Sequence, residues 1–257
     1  MSSDARLAAE LATAAGRLLL EVRLELAGAD AAVRRDEGDR RAHDQLAAAL
    51  AQVRPADALL SEEGVDDDRR LSADRVWIVD PLDGTREFGE PGRTDWAVHV
   101  ALWQAGELVA GAVALPAQDR TFSTADPVRL PAAGATLRLV VSRTRPPALV
   151  VGLAERLCAE LVPMGSAGAK AMSVLQGGSD AYVHGDGMYE WDSAAPVAVA
   201  RAAGLHTSRL DGSPLTYNQP DPYLPELVIC RPELAPVLLA AIAAARGQGQ
   251  STPASPA

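Results

Sequence analysis

At 257 residues the chain is long enough to bury a large core, in one big domain or two intimate ones. Aromatic residues make up only 4% of it against 48% hydrophobic overall, so aliphatic and alanine packing must fill that core. A formal net charge of −10 disfavours non-specific binding to nucleic acid or to an anionic membrane, and favours a small ligand accompanied by metal ions.

In chain order, Leu7, Leu11, Ala14, Ala15, Leu18, Leu19 and Val22 recur at helical spacing and form one apolar face. Charged Asp4, Arg6, Glu10 and Arg17 lie in the same pattern, which is unlike a signal peptide. No stretch is long and apolar enough to span a bilayer, so a cytoplasmic location is expected. Asp36, Glu37 and Asp39 open a second helix, whose body runs from about Arg40 to Val53; first-turn acids suit the helix dipole. Ala58 to Leu60 and Val76 to Val79 read as short buried strands. Trp96 to Trp103 is apolar on both faces, as a central strand would be, and Leu108 to Leu115 pairs with it after a turn near Gly106.

Pro127, Pro131 and Gly134 mark a boundary between halves at 1–130 and 131–246. A strand restarts at Leu137 to Val141, and Pro146-Pro147 precede a helix reaching about Leu161. Ala169 to Leu175 and Val197 to Ala203 read as helices, Val228 to Cys230 as a last strand, and Leu234 to Ala245 as a closing helix. Residues 247–257 are rich in Gln, Ser, Pro and Gly and are expected to be a disordered tail. The pattern predicts an α+β first half and an α/β second half. Cys158 and Cys230 make no disulfide framework and both read as core residues. His43, His99, His184 and His206 are scattered and read as scaffold.

The most informative stretch is Val76 to Phe88. An apolar run ends in Asp80; Pro81 lacks an N–H and should force the chain out of the sheet; Asp83 follows within the same turn. Two carboxylates and the Leu82 carbonyl are hard oxygen ligands of the kind Mg²⁺ prefers. Gly84 permits close backbone approach, and a helix starting at Thr85 would point free N–H groups at an anion. The same D-P-x-D-G string also makes a good surface turn, but a buried strand before it and Gly84-Thr85-Arg86-Glu87-Phe88 after it favour the binding loop. Ser61-Glu62-Glu63 ends another strand in acid, although Asp66, Asp67 and Asp68 also fit an ordinary acidic loop. Asp192 in Trp191-Asp192-Ser193 suits a helix N-cap, a role compatible with holding a metal.

Taken in order, Ser61-Glu62-Glu63, Asp80 to Thr85 and Trp191-Asp192 resemble the inositol monophosphatase superfamily of Mg²⁺-dependent, lithium-sensitive phosphatases, over about Leu7 to Ala245. Within it, Arg86-Glu87-Phe88, Gly165-Ser166-Ala167-Gly168-Ala169-Lys170 and Ala181-Tyr182-Val183-His184 look like the 3′(2′),5′-bisphosphate nucleotidases of the CysQ type. The resemblance implies a layered αβαβα sandwich with two or three Mg²⁺ ions between its halves. It implies hydrolysis of 3′-phosphoadenosine 5′-phosphate, and of its 5′-phosphosulfate relative, in the clearing of a sulfur-assimilation by-product. A homodimer is common among such relatives. Carried over by position, Glu62, Asp80, Asp83, Asp192 and the Leu82 carbonyl would hold metal. Asp39 and Thr85 would deprotonate the attacking water, and Gly84, Thr85, Ser166, Lys170 and Asp192 would meet substrate. The family's V-T-x-x-D is replaced here by Arg35-Asp36-Glu37-Gly38-Asp39, which lacks the threonine. Two rival readings use the same residues: a broader phosphatase of inositol-1-phosphate or fructose 1,6-bisphosphate, and a non-catalytic nucleotide sensor.

Overall fold

The computed structural model describes residues 3–249. Helix α1 (Ser3–Glu25) buries Ala8, Leu11, Ala12, Ala15, Leu19 and Val22 along one face, as the spacing predicts. Helix α2 (Ala31–Val53) begins earlier than expected, because the Asp30 side chain accepts the Ala32 N–H at 2.7 Å and caps it there. Asp36, Glu37 and Asp39 therefore lie inside the helix and not in its first turn. The corner between the two helices is closed by Arg34, a buried guanidinium that donates to the carbonyls of Leu26, Ala27, Ala29 and Gly89.

Strands β1 (Ala58–Ser61), β2 (Arg75–Asp83), β3 (Ala97–Gln104), β4 (Glu107–Leu115) and β5 (Arg120–Ser123) form one sheet in that order. The β1–β2 pair is parallel and the rest antiparallel. Side chains alternate across it: Trp77, Val79, Val98 and Val100 pack under α1 and α2, while Val76, Ile78, Ala97 and Ala101 face the other way. The β3–β4 hairpin turns at Ala105 and Gly106, both at positive φ (50° and 95°), as a two-residue turn matched to sheet twist requires. The structure adds one strand and changes one expectation here. The short strand β5 carries no signal long enough to read. Strand β2 also does not end at Pro81: pairing to β3 resumes at Asp83↔Ala97 after Asp80↔His99, so one extra residue bulges out. Proline is tolerated there because β1 has already ended opposite Val79, and no neighbour asks for its missing N–H.

The second sheet, β10-β12-β8-β6-β7, is built from β6 (Arg138–Ser142), β7 (Glu160–Met164), β8 (Ala181–His184), β10 (His206–Ser208) and β12 (Leu227–Cys230). β6 runs parallel to both β7 and β8, whereas β12 and β10 are antiparallel additions. Helix α4 (Ala148–Leu157) stops short of Leu161. Cys158 adopts φ +51° and the Ala159 N–H returns to the Ala154 carbonyl at 2.8 Å, a left-handed stop that releases the chain into β7. Cys158 is thus an exposed cap and not a core residue, while Cys230 is fully buried on β12.

Helices α5 (Ala167–Leu175) and α6 (Glu190–Ala202) lie between the sheets in one shared core, and α4 and α7 (Ala235–Gly249) cover the far face of the second sheet. The stack reads α1/α2, sheet, α5/α6, sheet, α4/α7, the αβαβα sandwich. A short ribbon pairs β9 (Met188–Tyr189) with β11 (Tyr223–Leu224) at the start of α6. α7 takes in residues 247–249 of the expected tail; the remainder of that tail lies outside the described residues. Among the described residues no helix is long and apolar enough to cross a membrane.

Alanine and glycine let α6 approach the first sheet closely. A Cβ on Gly111 of β4 would stand 2.6 Å from the Ala198 Cβ and 3.3 Å from the Ala195 carbonyl. Gly111→Val should cost about 1–3 kcal/mol or more by overpacking. A urea melt that shows no loss would mean the two layers separate without penalty.

Candidate functional site

The bulge at Pro81 aims Asp80 and Asp83 off the end of β2 toward the start of α6, where Asp192 waits. One carboxylate oxygen from each lies within 4.8 Å of the others. Asp192 is the third residue of α6 and not its N-cap. It nevertheless caps the helix, since its Oδ2 accepts the Tyr189 N–H at 2.7 Å. Glu62, just past β1, joins the group with its carboxyl next to that of Asp80. As a residue Glu62 is exposed, but its carboxyl end is withdrawn beside Asp80. The Leu82 carbonyl lies in the same loop and accepts the Thr85 hydroxyl at 3.1 Å. Every donor is a hard oxygen and four are carboxylates, against which His99 and Lys170 act as the neighbouring basic groups. That set fits a divalent ion such as Mg²⁺.

The protonation pattern carries the mark of that crowding. Burial and the charges of Glu62, Asp83 and Asp192 push Asp80 well above the ordinary carboxylate range. Burial, then Asp192, raises Glu62 to about 7; burial, then Asp83, raises Asp192 to about 6. Asp83 goes the other way, to about 2. Burial opposes its charge, but His99, Ser166 and the N-terminus of α5 together outweigh burial. The Asp83 carboxylate accepts the Ser166 hydroxyl at 2.5 Å, the Ala167 N–H at 3.1 Å and the Gly168 N–H at 2.6 Å. Ser166 sits at φ +49° and also caps α5, accepting the Ala169 N–H at 2.9 Å.

Beside this cluster stands Asp39, on α2, next to the Thr85 hydroxyl. Burial and then the charges of Glu63, Glu62 and Asp36 raise it to about 8, against the opposing pull of the Thr85 hydroxyl. Thr85 opens the five-residue helix α3 (Thr85–Gly89). Gly84 precedes it at φ +84°, and a Cβ there would stand 2.9 Å from the Ser166 Cβ, so glycine serves both conformation and clearance. Lys170 is buried on α5, with its ammonium 5.3 Å from the centre of the Tyr182 ring. It does not snorkel to solvent. Burial lowers its affinity for a proton, while Asp83, Glu87 and Asp192 raise it.

The sequence reading missed His99. It is fully buried on β3, its Nδ1 is 3.1 Å from the Trp191 carbonyl, and its Nε2 is 3.2 Å from Asp83 Oδ2 without a well-aligned hydrogen bond. Gly168 is glycine for its sake, because a Cβ there would come within 2.1 Å of Nε2. His99 alternates with apolar residues along β3, so its pattern is that of a core position. Its neighbours on α5 and α6 come from far along the chain.

A layered sandwich with a carboxylate cluster at the join of two sheets, flanked by a hydroxyl–acid pair, defines a metal-dependent hydrolase site. The chain belongs to the inositol monophosphatase family, whose model matches residues 2–248. It is 53% identical over 256 residues to the 3′-phosphoadenosine 5′-phosphate phosphatase of Mycobacterium leprae, covering 93% of each chain. It is 30% identical over 198 residues to the 3′(2′),5′-bisphosphate nucleotidase CysQ of Escherichia coli, covering 72% of this chain and 80% of the relative. The crystal structure of CysQ from Bacteroides thetaiotaomicron superposes with a TM-score of 0.74 at 27% identity, covering 89% of this chain and 97% of the other.

The raised carboxyls give a signed expectation. In the folded, metal-free protein, Asp39, Glu62, Asp80 and Asp192 hold protons at pH values where the unfolded chain, with carboxyls near 3.8 and 4.5, has lost them. The folded state binds more protons, so stability falls as pH rises from about 5 to 8. Asp83 contributes the opposite slope, but only below about pH 4. Melting in EDTA should show a Tm that drops across this window. Added Mg²⁺ should displace the protons, flatten the slope and stabilise most at pH 8. A Tm that rises with pH in EDTA would contradict this electrostatic account.

Proposed function

We propose that the protein is a Mg²⁺-dependent phosphatase that removes the 3′-phosphate of 3′-phosphoadenosine 5′-phosphate to give AMP and phosphate, and treats the sulfated nucleotide likewise. The convergence of Asp80, Asp83 and Asp192 beside the Asp39–Thr85 pair carries this reading. The 53% identity to a phosphatase named for that nucleotide supports the substrate. An intact acid set speaks against a non-catalytic sensor.

Glu62, Asp80, Asp83, Asp192 and the Leu82 carbonyl would hold two or three Mg²⁺ ions. When bound, Mg²⁺ would supply charge neutralisation of the phosphoryl oxygens and a more acidic water. The chain's own residues do the rest. Thr85 Oγ1 takes a proton from the attacking water while passing its own to Asp39, which the charge of bound Mg²⁺ on the neighbouring acids would let ionise. The water oxygen bonds to phosphorus and the bond from phosphorus to the 3′-oxygen breaks; the released 3′-alkoxide takes a proton from solvent water, and the resulting hydroxide takes back the proton held by Asp39. Gly84 and Thr85 cradle the transferred phosphoryl group at the start of α3. Asp192 would serve both the cation and the substrate. Lys170 faces the second phosphate as a buried point charge.

Asp83 links these tasks. Were its carboxylate to turn to a cation, the Ser166 hydroxyl and the Ala167 and Gly168 N–H groups that hold it here would be free for a substrate phosphate.

Asp83→Asn keeps the side-chain volume and one accepting oxygen for the Ser166 and Gly168 donors, while its NH2 would face the Ala167 N–H, so the fold should hold at some cost in stability and Mg²⁺-dependent turnover should fall by at least about 10³-fold. Phosphate-release assays with an unchanged circular dichroism spectrum check this; retained activity would remove Asp83 from the site. For the substrate, release from 3′-phosphoadenosine 5′-phosphate, inositol-1-phosphate and fructose 1,6-bisphosphate should be compared with and without Mg²⁺. We expect kcat/KM at least about tenfold higher for the nucleotide, about 1.4 kcal/mol of transition-state preference. Equal or better turnover of a sugar phosphate would overturn the substrate while leaving the metal site standing.

A further inference from the structure

The chain has two phenylalanines, four tryptophans and four tyrosines, and most are buried or half-buried. The two that are exposed, Tyr189 (46%) and Tyr223 (48%), sit side by side on the β9–β11 ribbon. The Tyr189 ring is stacked on Trp191 with centroids 4.7 Å apart and planes 9° from parallel, and Tyr223 meets its edge at 6.0 Å and 81°. The group is braced from below. The Glu190 N–H donates to the Pro222 carbonyl at 2.8 Å and the Gly187 N–H to the Pro225 carbonyl at 3.2 Å. Gly187 leaves room for the Tyr223 ring, whose hydroxyl would lie 1.8 Å from a Cβ there.

A chain this sparing of aromatic surface has placed a rigid stack in solvent, which is costly unless something covers it. Its position says what. The Tyr189 backbone N–H binds the Asp192 carboxylate at 2.7 Å, so the platform starts next to the metal cluster. A nucleotide held there by its 3′-phosphate has its base one ribose away, and a purine is a flat π-surface of the kind that stacks on tyrosine.

We propose that Tyr189, edged by Tyr223 and backed by Trp191, is the platform on which the purine base of the substrate stacks, and that it separates nucleotides from base-free phosphates. This rests on the nucleotidase reading above. The platform supplies recognition and takes no part in proton transfer.

The test uses the full-length protein with Mg²⁺ and two ligands that differ only by the base, AMP and ribose 5-phosphate, titrated by calorimetry. Tyr189→Leu should weaken AMP at least fivefold and leave ribose 5-phosphate within twofold. Tyr189→Phe should keep AMP affinity, and Tyr223→Leu should show a smaller, equally base-selective loss. With 3′-phosphoadenosine 5′-phosphate, the Tyr189→Leu loss should appear mainly in KM. Equal effects on both ligands, or none, would overturn the platform. So would a change of molecular mass in light scattering without a change in AMP affinity, which would make the stack a contact between copies. Failure of the wild type to hydrolyse the nucleotide faster than inositol-1-phosphate is a separate result. It would remove the nucleotidase reading whatever the variants do.

Discussion

The site depends on the mutual repulsion of carboxylates packed where two sheets meet. Asp80, Asp83, Asp192 and Glu62 cannot all carry charge in a dry crevice without compensation. The metal-free fold relieves this in two ways. It raises the proton affinity of three of them, and it gives the fourth, Asp83, the N-terminus of α5, the Ser166 hydroxyl and an imidazole. The donors that hold Asp83 without a cation are groups suited to hold phosphate with one. The cluster is therefore poised for two oppositely charged guests.

Layering makes this possible. β2 belongs to the first sheet, α6 packs on that sheet's inner face, and α5 lies beside α6 under the second sheet. Their termini meet because small residues allow it. Ala195 and Ala198 of α6 lie against Gly111, and Gly168 of α5 lies against His99. Few aromatics and many alanines, which composition showed as a constraint on packing, become a means of bringing backbones close enough for N–H groups and carbonyls to serve as ligands.

Much of this was readable in the chain because it is local. The D-P-L-D-G-T run declares itself by spacing, and the strands on either side by their apolar residues. The N-cap chemistry of Asp192 was readable in kind though not in place, because Glu190 and Trp191 are already helical. What escaped were features set by partners far away in sequence. Pro81 remains within β2 only because β1 ends beside it. His99 has the pattern of a core residue, and what distinguishes it is the Trp191 carbonyl 92 residues on and the Asp83 carboxylate across the bulge. α4 ends early because Cys158 takes a left-handed conformation, which no side chain in that stretch announces.

His99 shows how scaffold and site merge. Its Nδ1 faces a carbonyl, which fixes a proton on that nitrogen and leaves Nε2 toward Asp83. Burial lowers its affinity for a second proton, but Asp83 more than offsets that and the balance is upward. The imidazole then joins three segments: the end of β2 through Asp83, the start of α6 through Trp191, and α5 through the bare face of Gly168. A shift of any one moves the others, because the contacts are too close to deform gradually. Carboxylates borne on separate elements need such a common point, or each would follow its own helix or strand. The sandwich supplies that point at a position which, in the pattern of β3 alone, looks like ordinary core.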